Sequence, residues 1–159
     1  MPFGGAAWLD DGSLVYVGPG PVELSRVSAD GGPRTSVLRS PTLAGLGLAF
    51  PTPLPGARGV LFTVCTSGCV TEGVHVLDLH SGRERLLLND VVCAWYLPSG
   101  QLFFVRRDGT GLVAPFDLKP LQLSGTASPV LERVRVSGGL PALARAPPAP
   151  PASRQGNQW

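Results

Sequence analysis

Charge, cysteine and histidine are all scarce in this chain. Only 15% of its 159 residues are charged, and 13 basic against 11 acidic side chains leave a formal net charge of +2. So small a surplus is not the electrostatic footprint of a nucleic-acid binder, and no nucleic-acid partner is expected. Arg34, Arg83, Arg85, Arg106, Arg107, Arg133 and Arg135 are scattered at the ends of apolar runs, the placement of a solvated rim. The three cysteines, Cys65, Cys69 and Cys93, are an odd set without a secretory leader, which points to free thiols. Cys65 and Cys69 share a loop and form a disulfide only if the chain is exported. Two cysteines and a distant His75 fall short of the four ligands a structural zinc site needs. With two histidines, His75 and His80, and no Gly-x-Ser-x-Gly elbow, the chain shows no sign of a serine hydrolase. No apolar run approaches the length of a membrane span. The opening residues MPFGGAAWLDDG have no basic segment followed by an apolar one. As written, the chain is expected to be soluble and cytoplasmic, with no membrane insertion of its own. No apolar stripe at helical spacing lasts three turns, so almost no helix is expected.

Glycine and proline are plentiful instead, at 21 and 17 residues, and they divide the sequence into short apolar runs. The apolar fraction of 43% and the mean hydropathy of +0.19 fit a globular chain with buried sheets. The runs recur. WLDDGSLVYV (Trp8 to Val17), PLPGARGVLFTV (Pro53 to Val64) and YLPSGQLFFV (Tyr96 to Val105) each carry a Leu, a tight turn with Gly, then strand formers. Gly12, Gly56 and Gly100 lie 44 residues apart, close to the length of a four-stranded propeller blade. The middle turn is one residue longer, which makes Ala57 the better counterpart of Gly12.

Four strands per unit follow from this pattern. The first strands are expected at 5–9, 48–52 and 92–97, and the second at 13–17, 60–65 and 101–106. The third fall at 22–27, 73–79 and 112–118, and the fourth at 35–38, 84–88 and 129–131. The predicted fold class is all-β: three four-stranded antiparallel meanders as β-propeller blades in an incomplete ring. The blades span about 5–41, 47–89 and 91–136, with breaks near Thr42 and Asp90. The partial propeller covers 1–137, and 138–159 is expected to be a Pro/Ala-rich disordered tail, APPAPPAS (Ala146 to Ser153) being polyproline-like.

The stretches FPTPLPGARGVLFTV (Phe50 to Val64), GVHVLDLHSGRERLLL (Gly73 to Leu88) and the long run from Ala94 to Glu132 resemble a known family. They are similar to the TolB-like, WD-like β-propeller repeats that follow the kinase domain of many bacterial serine/threonine protein kinases. APFDL (Ala114 to Leu118) and YLPSGQL (Tyr96 to Leu102) carry the resemblance furthest. It covers about Trp8 to Val136. One turn departs from the family: Pro55-Gly56-Ala57-Arg58 stands where Pro-Asp-Gly-Arg is usual, so its Asx-turn hydrogen bond is expected to be missing. The resemblance implies a non-catalytic binding or scaffold module, a fragment of the sensor-like propeller of a receptor-type kinase. In that setting the chain is extracytoplasmic and takes a protein or peptide ligand on the propeller face. The other reading is the propeller portion of a prolyl-oligopeptidase-like hydrolase.

No catalytic, metal or cofactor-binding residue is expected, and no cofactor. Asp10, Asp11, Asp30, Asp78, Asp90, Asp108 and Asp117 read as turn residues. Asp10 and Asp11 offer two carboxylates where a calcium loop needs about six oxygens. His80 belongs to an exposed hairpin turn. His75 alternates with Val74 and Val76 and so faces away from them. LAGLGLAF (Leu43 to Phe50) reads as a strand linking two blades rather than a phosphate loop. Trp8, Phe50, Phe62, Trp95, Phe103 and Phe104 are expected in the core between blades. Three blades leave two sheet faces uncovered. At on the order of 500 Å² of apolar surface each, the burial forgone is roughly 12 kcal/mol per face. Self-association through these faces, or membership of a longer protein, is therefore expected.

Overall fold

The computed structural model describes residues 4–20, 22–66, 70–137 and 140–141. Cys69 and, apart from Leu140 and Pro141, the expected tail lie outside the described residues. The described chain is all-β, with two single 3₁₀ turns at Pro41–Leu43 and Pro55–Ala57.

The first meander contains β1 (Ala6–Trp8), β2 (Ser13–Val17), β3 (Glu23–Ser28) and β4 (Thr35–Arg39), paired in chain order and antiparallel. The second contains β5 (Gly47–Pro53), β6 (Gly59–Cys65), β7 (Thr71–Asp78) and β8 (Glu84–Asn89), paired in the same way. The third begins with β9 (Val91–Leu97), β10 (Gln101–Arg106) and β11 (Gly111–Asp117). Every strand expected from the turn pattern is present, with ends displaced by at most two residues. The breaks fall at the Pro41–Leu43 turn and at Asp90, whose positive φ of 57° turns β8 directly into β9.

Three details differ from the sequence reading. The fourth strand of the third meander is split, with β12 (Gln122–Leu123) on the Phe116–Asp117 end of β11 and β13 (Ser128–Leu131) on its Gly111–Val113 end. Pro115 explains the gap. Its carbonyl faces this outer edge and accepts the Ser124 N–H at 2.9 Å, so its missing N–H leaves the edge short of a donor there. Secondly, the even glycine interval of 44 hides unequal structural repeats, as the longer middle turn implied. Strand pairing makes Leu14, Val60 and Leu102 equivalent, opposite Trp8, Pro53 and Tyr96. The middle turn carries an extra residue, and both Gly56 (φ 69°) and Ala57 (φ 49°) are left-handed to absorb it. Thirdly, only the second half of LAGLGLAF is strand: Pro41 starts a 3₁₀ turn, and β5 begins at Gly47.

The meanders stack face to face. Strand β1 lies beside β5, and β5 beside β9. Strand β6 is buried at every residue because both its faces are covered. Val60, Phe62 and Val64 join Val15, Leu24 and Leu38 between the first and second meanders. Leu61, with Val74 and Val76 from β7, meets Ala94, Leu102, Phe104 and Phe116 between the second and third. Each such side chain contributes about 1.5–3 kcal/mol on full burial, so these two layers dominate the stability. Three threonines of the second meander tie it to β9 of the third. Thr52 Oγ1 donates to the Ala94 carbonyl at 2.8 Å, Thr63 Oγ1 to Val92 at 2.6 Å and Thr71 Oγ1 to Val91 at 2.8 Å.

Beyond β13 the chain folds back, and a short hairpin of β14 (Val136–Ser137) and β15 (Leu140–Pro141) lies beside β9. Val134 and Val136 pack there against Cys93 and Val105, on the face of the third meander turned away from the second.

Candidate functional site

Antiparallel meanders bring the first and third turns of each unit to one end of the stack. That end therefore gathers Asp10–Gly12, Pro55–Arg58 and Pro98–Gly100 with the turns around Asp30, His80 and Lys119. Charged groups lace it together. The Asp10 carboxylate accepts the N–H of Gly56 in the next meander. Arg58 pairs with Asp78 and donates to the Lys119 carbonyl at 3.0 Å in the third. Arg85 donates to the Pro120 carbonyl at 3.1 Å and to that of Leu121. Arg26 pairs with Asp11 and donates to Ser13 Oγ at 2.8 Å. Between the second and third meanders a concavity of about 360 Å³ opens, lined by Asp78, Ser81, Arg83, Arg85, Pro120 and Leu121 among others.

The middle turn lacks its own aspartate, as the sequence showed, and Asp10 of the preceding meander satisfies the Gly56 N–H instead. The other acidic turns are local. Asp11, Asp78, Asp108 and Asp117 accept the N–H of Ser13, His80, Thr110 and Lys119, at 3.0, 2.8, 2.8 and 2.9 Å. For Asp11, Asp78 and Asp108 these bonds favour the ionised form. The Ser13 hydroxyl and N–H hold Asp11 below the usual carboxylate range, and the Thr110 N–H does the same for Asp108. Burial pushes Asp78 upward, but the Arg58 guanidinium and the His80 and Ser81 donors outweigh it and set the carboxyl at about 2. Asp90 is different, since its partner is Arg107 at 3.3 Å.

His75 faces away from Val74 and Val76, as its position in the alternation requires. It is buried against the Phe62 ring, with centroids 5.7 Å apart, and its Nδ1 lies 2.8 Å from Glu84 Oε2. Ser40 Oγ donates to Glu84 Oε1 at 3.4 Å. The carboxylate stands between the hydroxyl and the imidazole. A nucleophilic triad needs the imidazole in the middle, so this trio is not one. His80 is exposed in its turn. Burial pushes the Cys93 thiol up to about 12, which makes it a poor nucleophile. Among the described residues no group of three His, Cys, Asp or Glu side chains is placed to hold a metal ion. No described helix is long and apolar enough to cross a membrane. The seven arginines read as a rim are all exposed, and Arg85 also bridges two meanders.

At the other end of the stack the buried Glu23 carboxylate accepts Ser25 Oγ at 2.9 Å, with Arg34 and Arg39 each 3.9 Å away. It borders a cleft of about 540 Å³ with Arg39, Ser40, Pro41 and Gly45. The sequence offered no signal for this acid, which sits in an ordinary alternating strand. The aromatic assignment needs one correction. Phe62 and Phe104 are buried, and Phe50, Trp95 and Phe103 are half-buried, but Trp8 is 62% exposed. Its face of the first meander has no neighbouring sheet among the described residues.

No family model matches the chain, and no curated protein matches it significantly.

Proposed function

We propose that the chain forms three consecutive blades of a β-propeller and acts as a non-catalytic binding or scaffold module. By resemblance it belongs with the TolB-like repeats that follow bacterial receptor-type serine/threonine kinase domains, where such blades make a sensor-like, extracytoplasmic domain. The observation that carries the reading is the structural repeat: Leu14, Val60 and Leu102 occupy one position in three meanders stacked side by side. Stacked meanders present a broad rigid rim of turns, suited to a protein or peptide ligand rather than to a buried small molecule. The turn end has the fixed charges and the concavity for it. The side chains that chemistry would need are already engaged: His75 by Glu84, and Asp78 by Arg58.

The test is selection of peptides from a random displayed library, followed by calorimetric titration of the selected peptide. The expected result is saturable binding that an Arg83→Glu change at the rim weakens at least tenfold, with no turnover of the peptide. Hydrolysis of peptide or ester substrates by the pure chain, lost in His75→Ala, would overturn the reading.

A further inference from the structure

The cleft bordered by Glu23 lies at the end of the stack away from the charged turns. Glu23 opens β3 and pairs across the strands with Arg39 of β4. It is only 6% exposed, and its own chain covers it. The Gly18 N–H donates to the Glu23 carbonyl at 2.9 Å, which brings the 18–20 loop over the side chain. A Cβ at Gly18 would press on Ser25 Oγ, and one at Gly20 would collide with Glu23 Oε2. Glycine at both places leaves the carboxylate its space. The two carboxylate oxygens are treated differently. The fully buried Ser25 hydroxyl donates to Oε1, and Arg34 and Arg39 stand 3.9 Å from that same oxygen, beyond hydrogen-bond reach. Oε2 is turned toward Gly20, which lines the cleft with Glu23, and among the described residues no group donates to it.

We propose that this cleft binds a free α-amino acid with an apolar side chain. The ligand's ammonium donates to the open Oε2 of Glu23, and its carboxylate accepts from the Arg39 guanidinium. A carboxylate withdrawn from water, with one oxygen held and the other open, favours a cationic donor. A ligand carrying positive charge alone would meet two arginines beside a single acid. A zwitterion answers both signs. Arg39 is 74% exposed and only loosely paired, so its guanidinium is open to a second anion. Glu23 and Arg39 are the charged side chains among the described lining residues, and Val22, Pro41 and Ala44 supply apolar wall. That wall suits an aliphatic side chain. The volume of about 540 Å³ lies in the range of small-ligand sites. The N-terminus of a peptide has no carboxylate one carbon away and would leave Arg39 unmatched. The inference uses none of the turn-end residues and does not depend on the rim-binding reading.

Calorimetric titration of the full 159-residue chain with L-leucine tests it. Leucinamide stands in for a peptide N-terminus, and isocaproate is the same skeleton without the ammonium. Saturable binding of L-leucine is expected, at least tenfold tighter than that of either analogue. Glu23→Gln keeps an acceptor for Ser25 but removes the charge, and should abolish the binding. Gly20→Ala sets a methyl against Oε2 and should weaken it at least tenfold. Arg39→Gln, at an exposed position, should bring leucine down to the affinity of leucinamide and leave leucinamide no weaker. Should Glu23→Gln lose the wild-type circular dichroism, Arg39→Gln and Gly20→Ala decide the matter. No heat at millimolar leucine, leucinamide or isocaproate binding as tightly as leucine, or leucine binding unchanged in Arg39→Gln and Gly20→Ala would overturn the proposal.

Discussion

Asp78 concentrates more of the molecule's electrostatics than any other acid described. It caps its own hairpin through the His80 and Ser81 N–H groups and holds Arg58, which reaches the third meander. Its folded value of about 2 lies below the ordinary 3.8. The stabilisation is therefore complete above about pH 4 and is lost as pH falls through about 2. With solvent screening it amounts to about 1 kcal/mol. Urea unfolding between pH 6 and pH 2 should show that acid-dependent loss in the wild type and a smaller one in Asp78→Asn. Thr63 is a second test. Thr63→Val keeps the shape but strands the buried Val92 carbonyl, and chemical denaturation should show a loss of about 1–2 kcal/mol. The facing of His75, the exposure of His80 and the local acidic turns were legible in the sequence, because alternation and turn chemistry act over a few residues. The Asp10 bond to Gly56 was not. It joins positions 46 residues apart and exists only because two meanders stack in one register.

At the scale of elements, strand order and strand ends were legible, since Gly, Pro and Asp punctuate every run. The extra residue of the middle turn was legible too, despite the constant glycine interval, but not that left-handed backbone at both Gly56 and Ala57 would absorb it. Pro115 was visible, but which edge of β11 its missing N–H faces depends on pairing phase, and that decides whether the outer strand is continuous. Gly73 shows how little room the second meander leaves. Its φ is 140°, and a Cβ there would collide with the Leu88 carbonyl oxygen of β8. Gly73→Ala should destabilise by about 2–3 kcal/mol, read from thermal or urea unfolding. Gly31→Ala, in an exposed turn with open space around it, carries only the cost of a positive φ, about 1 kcal/mol.

For the whole molecule the governing fact is a stack of three sheets in which, among the described residues, only the middle one has another meander against both faces. Every residue of β6 is buried, while Trp8 on the first meander and Val130 and Leu131 on β13 are exposed. The sequence did not reveal that Trp8 would be left outside while Phe62 is buried, since the two look alike as apolar residues in short strands. The stacking predicts a gradient of local stability. Native-state hydrogen exchange measures that gradient directly. Amides of β6 and β7 should exchange only through global unfolding, and those of β1, β4 and β13 through cheaper local openings. Equal protection across the three meanders, or least protection in β6 and β7, would contradict the stacked arrangement.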